Sequence, residues 1–228
     1  MRNRLMGVAI AGALAMTMLT AGAAGASGSA GNATLNVVHG IPGVKVNVCV
    51  NGAKAIPNFK PGDVASGIKL PQGRYDFKIV AAADPCSGTA ILKAMNVPLK
   101  SGKNYTAVAN LNAHGDPNIK LFRNNVKPVA SGKARLSVRH TADAPAVNVW
   151  ANGAVLIGGK NFTWGHKEGV RVPEGSYSVK VTLPGKTTPV IGPAGLKLDS
   201  GVAYQAYAWG SAKAGYNLAV VSAKVGTK

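Results

Sequence analysis

The chain has 228 residues, 46% of them hydrophobic, enough for one large domain or two of about 100 residues with packed cores. Its 26 Lys and Arg stand against only 8 Asp and Glu, a formal charge of +18. That balance favours anionic partners, and the scarcity of acids weighs against carboxylate-based catalysis and against a multi-carboxylate calcium site.

Arg2 and Arg4 make a positive start, Leu5 to Leu19 is apolar, and Ala24-Gly25-Ala26 fits a small-residue cleavage site. Residues 1–26 are therefore expected to be a signal peptide, with Ser27 as the mature start; Ala21-Gly22-Ala23 is the alternative site. Removing the two arginines leaves +16 on the mature chain. The apolar run is short for a membrane span. The mature protein is thus expected to leave the membrane, as a secreted, extracellular or cell-wall associated protein.

Residues 27–33 read as a flexible Ser/Gly/Ala/Asn tail. Strands are expected at Leu35–His39 and Lys45–Asn51, the second with Val44, Val46, Val48 and Val50 on one face and Lys45, Asn47, Cys49 and Asn51 on the other. Asn51-Gly52 is a hairpin turn signal, and Phe59-Lys60-Pro61-Gly62 marks a further turn. Val64–Leu70 reads as a short strand. Arg74–Val80 alternates most cleanly, with Tyr75, Phe77 and Ile79 inward. Asp84–Gly88 is a loop, and strands at Ile91–Leu99, Tyr105–Leu111 and Ile119–Phe122 follow. Residues 129–133 form a linker.

The landmarks then repeat. His39 comes eight residues before Asn47 and thirteen before Gly52; His140 stands in the same relation to Asn148 and Gly153. Leu70-Pro71-Gln72-Gly73-Arg74-Tyr75 is matched by Val172-Pro173-Glu174-Gly175-Ser176-Tyr177, and the Ser101-Gly102 turn by Ser200-Gly201. Short strands with Gly and Pro turns predict one β-sandwich over 34–128 and a second over 134–228. Cys49 and Cys86, an even count in an exported chain, read as one disulfide. Alternation turns Cys49 and its counterpart Trp150 away from the sandwich interior. The bond would draw the Cys86 loop over the outer face of the first repeat. In the second repeat the loop Leu183-Pro184-Gly185 is expected to rest on the Trp150 ring instead.

The run His140-x-x-Asp143-Ala144-Pro145-Ala146-Val147-Asn148-Val149-x-x-Asn152-Gly153, with Val172 to Tyr177 after it, resembles the secreted bacterial family of domain of unknown function 4397, often found in tandem. The His39-Gly40-Ile41-Pro42-Gly43 version looks like the actinobacterial form. The resemblance covers about residues 34–225. It implies an exported, all-β protein of two tandem immunoglobulin-like sandwiches, and no established activity. Asn47 and Asn148 stand where the family commonly has Asp.

His39 and His140, at matching strand ends, are candidates for a ligand or acid/base site. The simpler reading is that each imidazole bonds turn backbone. Asp143 follows His140 by three residues, but its counterpart is Pro42, so a hydrolase using His140 and Asp143 is only the competing reading. No nucleophile elbow, phosphate-cradling loop, metal-ligand set or nucleic-acid signature occurs. No catalytic residue, cofactor or metal is expected. Trp164, in the loop Asn161–His166, is the best candidate for an exposed contact. The function expected is a basic, non-catalytic binding or interaction module, acting as a monomer. Its expected partners are anionic cell-envelope polymers or envelope proteins, not specific nucleic-acid sequences. A structural matrix protein is a further alternative.

Overall fold

The computed structural model describes residues 31–228, so the expected signal peptide and cleavage sites lie outside the described residues. The first half runs β1 (Asn32–Gly40), β2 (Val46–Val50), β3 (Ala53–Phe59), β4 (Val64–Pro71), β5 (Gly73–Ala81), β6 (Ala90–Leu99), β7 (Asn104–Leu111) and β8 (Pro117–Asn124). The second runs β9 (Lys133–His140), β10 (Asn148–Ala151), β11 (Ala154–Gly158), β12 (Lys167–Pro173), β13 (Gly175–Thr182), β14 (Pro189–Leu198), β15 (Val202–Ser211) and β16 (Gly215–Lys224). The described residues contain no helix. Each half is a sandwich of two four-stranded sheets, ordered β4-β1-β7-β8 and β3-β2-β5-β6 in the first, β12-β9-β15-β16 and β11-β10-β13-β14 in the second. Strand for strand, the two connectivities are identical. Each half has one parallel pairing, β1 with β7 and β9 with β15. The architecture is therefore the expected tandem of immunoglobulin-like sandwiches.

Local chemistry explains the strand ends. Asn51 and Asn152 both adopt a φ of 48°, followed by Gly52 at 82° and Gly153 at 85°, the positive-φ pair that a tight hairpin turn requires. Strand β3 carries Pro57 and was not expected from the residues. It is tolerated because β3 lies at the edge of its sheet, where a missing N–H costs no interior ladder bond. The tail expected over 27–33 is corrected at its end. Asn32 and Ala33 belong to β1, Ala33 is fully buried, and it pairs in register with Leu70. The connecting segment 129–133 is pinned too: Val129 is fully buried and bridges Thr227 near the C-terminus.

Valines and aromatics fill each sandwich. Val46, Val48, Phe77, Ile79 and Leu99 pack with Leu35, Val37 and Tyr105 in the first; Val147, Val149, Val179, Val181 and Leu198 pack with Leu136, Val138 and Tyr204 in the second. Cys49 is wholly buried yet belongs to neither core; it bonds Cys86 on the outer face of the first sandwich. Lys78 Nζ donates to the Cys86 carbonyl at 2.7 Å, which also holds that loop down.

A third apolar cluster joins the halves. Val38, Val108 and Phe122 of the first meet Tyr207, Trp209, Ala219 and Val221 of the second. The sheet β4-β1-β7-β8 therefore stacks on β12-β9-β15-β16, and the central strands of both are buried on two faces. Trp209 enters a notch that needs glycine: a Cβ at Gly40 would lie 2.8 Å from Trp209 Cβ, and one at Gly62 3.1 Å from the indole ring. Among these side chains sits Arg139, only 2% exposed. Its guanidinium donates to Asn124 Oδ1 at 2.7 Å and to the Tyr207 hydroxyl. It also lies 4.6 Å from the centroid of the Phe122 ring. Burial pushes the Tyr207 phenol up to about 12, so it stays neutral beside the arginine.

Three outcomes are expected in urea denaturation. The sequence separation of 37 between Cys49 and Cys86 gives a loop whose opening in a Cys49→Ala, Cys86→Ala variant should cost about 4 kcal/mol. Because the halves share a buried interface, both repeats should unfold in one transition. Arg139→Ala should lower that transition by about 3 kcal/mol, since it leaves the Asn124 and Tyr207 groups buried without their charged partner. Separate transitions for the two repeats in the unaltered protein would contradict the shared interface.

Candidate functional site

The two candidate histidines are turned inward. His39 is fully buried; its Nε2–H donates to the Val44 carbonyl at 2.8 Å, and its Nδ1 accepts from the Ile41 N–H at 3.3 Å. His140 is 1% exposed and Nε2 makes the matching bond to the Pro145 carbonyl, also 2.8 Å. Its Nδ1 is buried without a partner. Each ring therefore holds the turn that follows its strand and packs against an aromatic, Phe59 in the first repeat and Phe162 in the second. Burial lowers both histidine pKa values, which keeps the rings neutral. Neither ring faces solvent as a ligand site would. No hydrogen bond joins His140 to Asp143, whose backbone N–H is tied to Gly210 and whose carbonyl accepts from the Tyr216 hydroxyl.

Trp164, expected as a free contact, is a strut between the repeats. Its indole N–H donates to the Leu111 carbonyl of the first repeat at 2.9 Å, and Lys120 Nζ sits 4.4 Å over the ring. Trp150 does stand outside the second core, as alternation required. The contacts that hold its ring come from β13, before the expected loop. The indole donates to Thr182 Oγ1 at 2.9 Å and Lys180 Nζ lies 4.9 Å over the ring, while Leu183 turns to the core. The second interior encloses an apolar cavity of ≈ 30 Å³, room for about a water molecule rather than a ligand.

The informative feature is how the charges are disposed. Of the eight acids, five are engaged locally. Asp63 accepts from the Lys60 N–H, Asp76 from Asn96 N–H, Asp116 from the Asn112 side chain, Glu174 from Ser200 N–H, and Asp199 lies against the Tyr204 hydroxyl. A single ion pair occurs among the described residues, Lys197 with Asp199 at 3.5 Å, and it is exposed. The acids thus shape turns, and the cations are left without counter-charges.

A group of these cations lies on β12 and β9, at the step beside the interface. Register places Lys167 opposite Arg139, Gly169 opposite Ser137 and Arg171 opposite Arg135, each pair on one face of the sheet. That face looks toward the first repeat. Strand β8 covers the β9 end of it, so Arg139 and Arg135 are 2% and 5% exposed, while Lys167, Gly169 and Arg171 on the edge strand are open to solvent. Arg135 donates to the Lys127 carbonyl at 2.6 Å and to Asn125 at 3.3 Å. Burial lowers its pKa first, and the nearby Arg171 charge lowers it further. The neighbouring acid, Glu168, pairs with Val138, which faces the second core, so it points off the other side. The result is a cationic shelf with no carboxylate on its face. The outer face of the first repeat also carries cations, but there Lys78 and Lys93 share a concavity with Asp76 and Met95. None of the shelf residues was a candidate in the sequence; the one available signal was Lys167-x-Gly169-x-Arg171 facing Arg135-x-Ser137-x-Arg139 in alternating strands.

Residues 33–150 match the family model of the Domain of unknown function (DUF4397), and the chain belongs to that family. The match covers the first repeat and ends at Trp150 in β10 of the second. Among solved structures, the chain is similar to a candidate cell adhesion protein from Bacteroides uniformis ATCC 8492, at 12% identity and a TM-score of 0.25, covering 87% of this chain and 99% of that one. A score that low bears on neither the function nor the site. No curated protein matches the chain.

The buried histidines give a pH expectation with a definite sign. Unfolded, each titrates near 6.5; folded, each titrates lower, so below about pH 6.5 the unfolded chain binds protons that the fold does not. Stability should be fully present above that pH and should fall as pH drops toward the lowered folded values. Urea melts at neutral and mildly acidic pH should show this loss, and a His39→Gln, His140→Gln variant should show a flatter profile.

Proposed function

We propose that this member of the family is a non-catalytic, exported binding module. It acts as a monomer whose two rigidly joined sandwiches hold a cationic surface toward anionic polymers of the cell envelope or acidic envelope proteins. The observation that carries the reading is the charge disposition: 26 Lys and Arg against 8 acids in the chain, one ion pair among the described residues, and a shelf whose cations face no carboxylate. Such a field concentrates anions and steers them to the surface. Export is supported by the pattern of the first 26 residues and by the Cys49–Cys86 bond, which suits an oxidising compartment. The hydrolase reading has little to stand on. His140 is buried, its Nε2 is committed to Pro145, and Asp143 does not orient it.

Binding of this kind weakens as salt replaces the protein's cations around the polymer. The purified protein should be retained on isolated cell-wall material in low-salt buffer and released in high-salt buffer. Absence of retention at low salt, or retention indifferent to salt, would remove the basis of the reading.

A further inference from the structure

We propose that the shelf of Lys167, Gly169 and Arg171, with Ser137 at its side, binds a linear polyanion carrying phosphodiester groups between sugar or polyol units, not between nucleosides. The proposal rests on the cationic-module reading and names the ligand class for it.

Four observations lead there. Lys167 and Arg171 stand four residues apart on one extended edge strand, roughly 13 Å between Cα atoms. A single small anion cannot engage both ends of that line closely; a chain with anions at intervals can. Between the two cations the strand has Gly169, and the space its missing side chain leaves is bounded by Ser137 Oγ: a Cβ there would lie 3.2 Å from that hydroxyl. An anion over Gly169 thus has cations to either side along the strand and a hydroxyl donor at right angles, on the neighbouring strand. Donors in three directions suit a tetrahedral phosphate, whose oxygens point several ways, better than a planar carboxylate, which one guanidinium satisfies in its own plane.

Further in along the same row, next to Ser137, comes Gln205, 1% exposed, with both polar atoms of its side-chain amide lacking any partner. This amide lies buried beside Ser137, on the same face of the sheet as the shelf. Behind the shelf, Arg135 and Arg139 hold positive charge that cannot swing away, because both are buried and hydrogen-bonded.

Nucleic acid is disfavoured by the aromatics. Single strands bind basic grooves by stacking bases on open rings. The rings nearest the shelf are engaged: Trp164 lies under Lys120 and bonds Leu111, and Phe122 is buried under Arg139. A backbone could lie along the shelf, but its bases would find no platform.

The test measures binding of the full mature protein to immobilised poly(glycerol phosphate), with polygalacturonate and a single-stranded DNA oligonucleotide as comparison polymers. Three variants are compared, each shown by thermal melting to fold. Lys167→Glu with Arg171→Glu reverses the shelf. Lys54→Glu with Lys93→Glu makes the same charge change on the outer face of the first repeat. Gly169→Val fills the space over Ser137 without changing charge, and a β-branched residue suits an exposed strand position. The proposal expects poly(glycerol phosphate) to bind best, the shelf pair to lose about tenfold or more and the outer pair no more than about threefold. Gly169→Val should weaken binding about fivefold at unchanged charge. Equal losses from the two charge pairs, with Gly169→Val silent, would overturn the shelf while leaving the cationic module standing. Equal or tighter binding of DNA or polygalacturonate would overturn the ligand class. Failure of the unaltered protein to bind any of the three polymers would overturn both readings.

Discussion

How the two sandwiches sit against each other depends on one buried arginine and the apolar cluster around it. Arg139 sits between the two sandwiches with no carboxylate in reach. Its charge is balanced by the Asn124 amide oxygen, the Tyr207 hydroxyl and the faces of the Phe122 and Tyr207 rings. A guanidinium buried on such terms loses hydration that only well-aimed partners return, so the partners must be held in place. Asn124 is held by its own bonds to Asn104 and Thr106, and Trp209 is locked into the Gly40 and Gly62 notch. Trp164 reaching Leu111 and Asn110 reaching the Thr141 carbonyl close the other end of the contact. These contacts hold the two sandwiches against each other and leave β12 overhanging β8 at the surface.

The repeats share their wiring and differ in what covers it. On the outer face, a disulfide at Cys49 is replaced at the equivalent position by Trp150, which bonds Thr182 and stacks with Lys180. The disulfide ties β2 to the loop after β5, whereas Trp150 ties β10 directly to β13. On the inner face, Val38 in the first repeat stands where Arg139 stands in the second. At this position the interface is thus asymmetric: a valine on one side, a charge on the other. Asn47 also gains a reason. Its amide donates to the Ala82 and Asp84 carbonyls at 3.0 Å each while its oxygen accepts from Asn58 N–H, and an aspartate could not make the first two bonds.

The all-β architecture, the repeat and the disulfide were legible because each rests on local patterns: alternation with period two, Asn-Gly turns, matched landmarks and paired cysteines. Strand β3 escaped because Pro57 contradicts a strand until its edge position is known. Trp164 was misjudged for a related reason. A loop tryptophan looks free in one dimension and is free only if nothing from the other repeat reaches it. Arg135 and Arg139 show the limit most plainly. Alternation assigns them correctly to the face away from Leu136 and Val138, and for a lone sandwich that face would meet water. Only the stacking of the halves, which no local pattern encodes, turns it into an interior at β9 and leaves it a shelf at β12.

The distribution of acids explains why so large a positive charge does not cost the fold its turns. Each engaged carboxylate accepts a backbone N–H or a nearby side-chain donor, where the chain reverses at Asp63, Asp116 and Glu174, across the β5–β6 bulge at Asp76, and at Asp199 beside the turn into β15. These bonds are short-range and work whatever the net charge. The lysines and arginines, by contrast, are spread over strands whose stability comes from their other face. Mutual repulsion among exposed cations is weakened by water and by salt. The penalty for leaving them unpaired is therefore small everywhere except where burial removes the water, at Arg135 and Arg139. There the protein supplies carbonyls, an amide, a phenol and ring faces as neutral acceptors, rather than acids. Neutral acceptors satisfy the hydrogen bonds and leave the positive potential intact, and that potential emerges at the shelf, where Lys167 and Arg171 continue the same two rows into solvent.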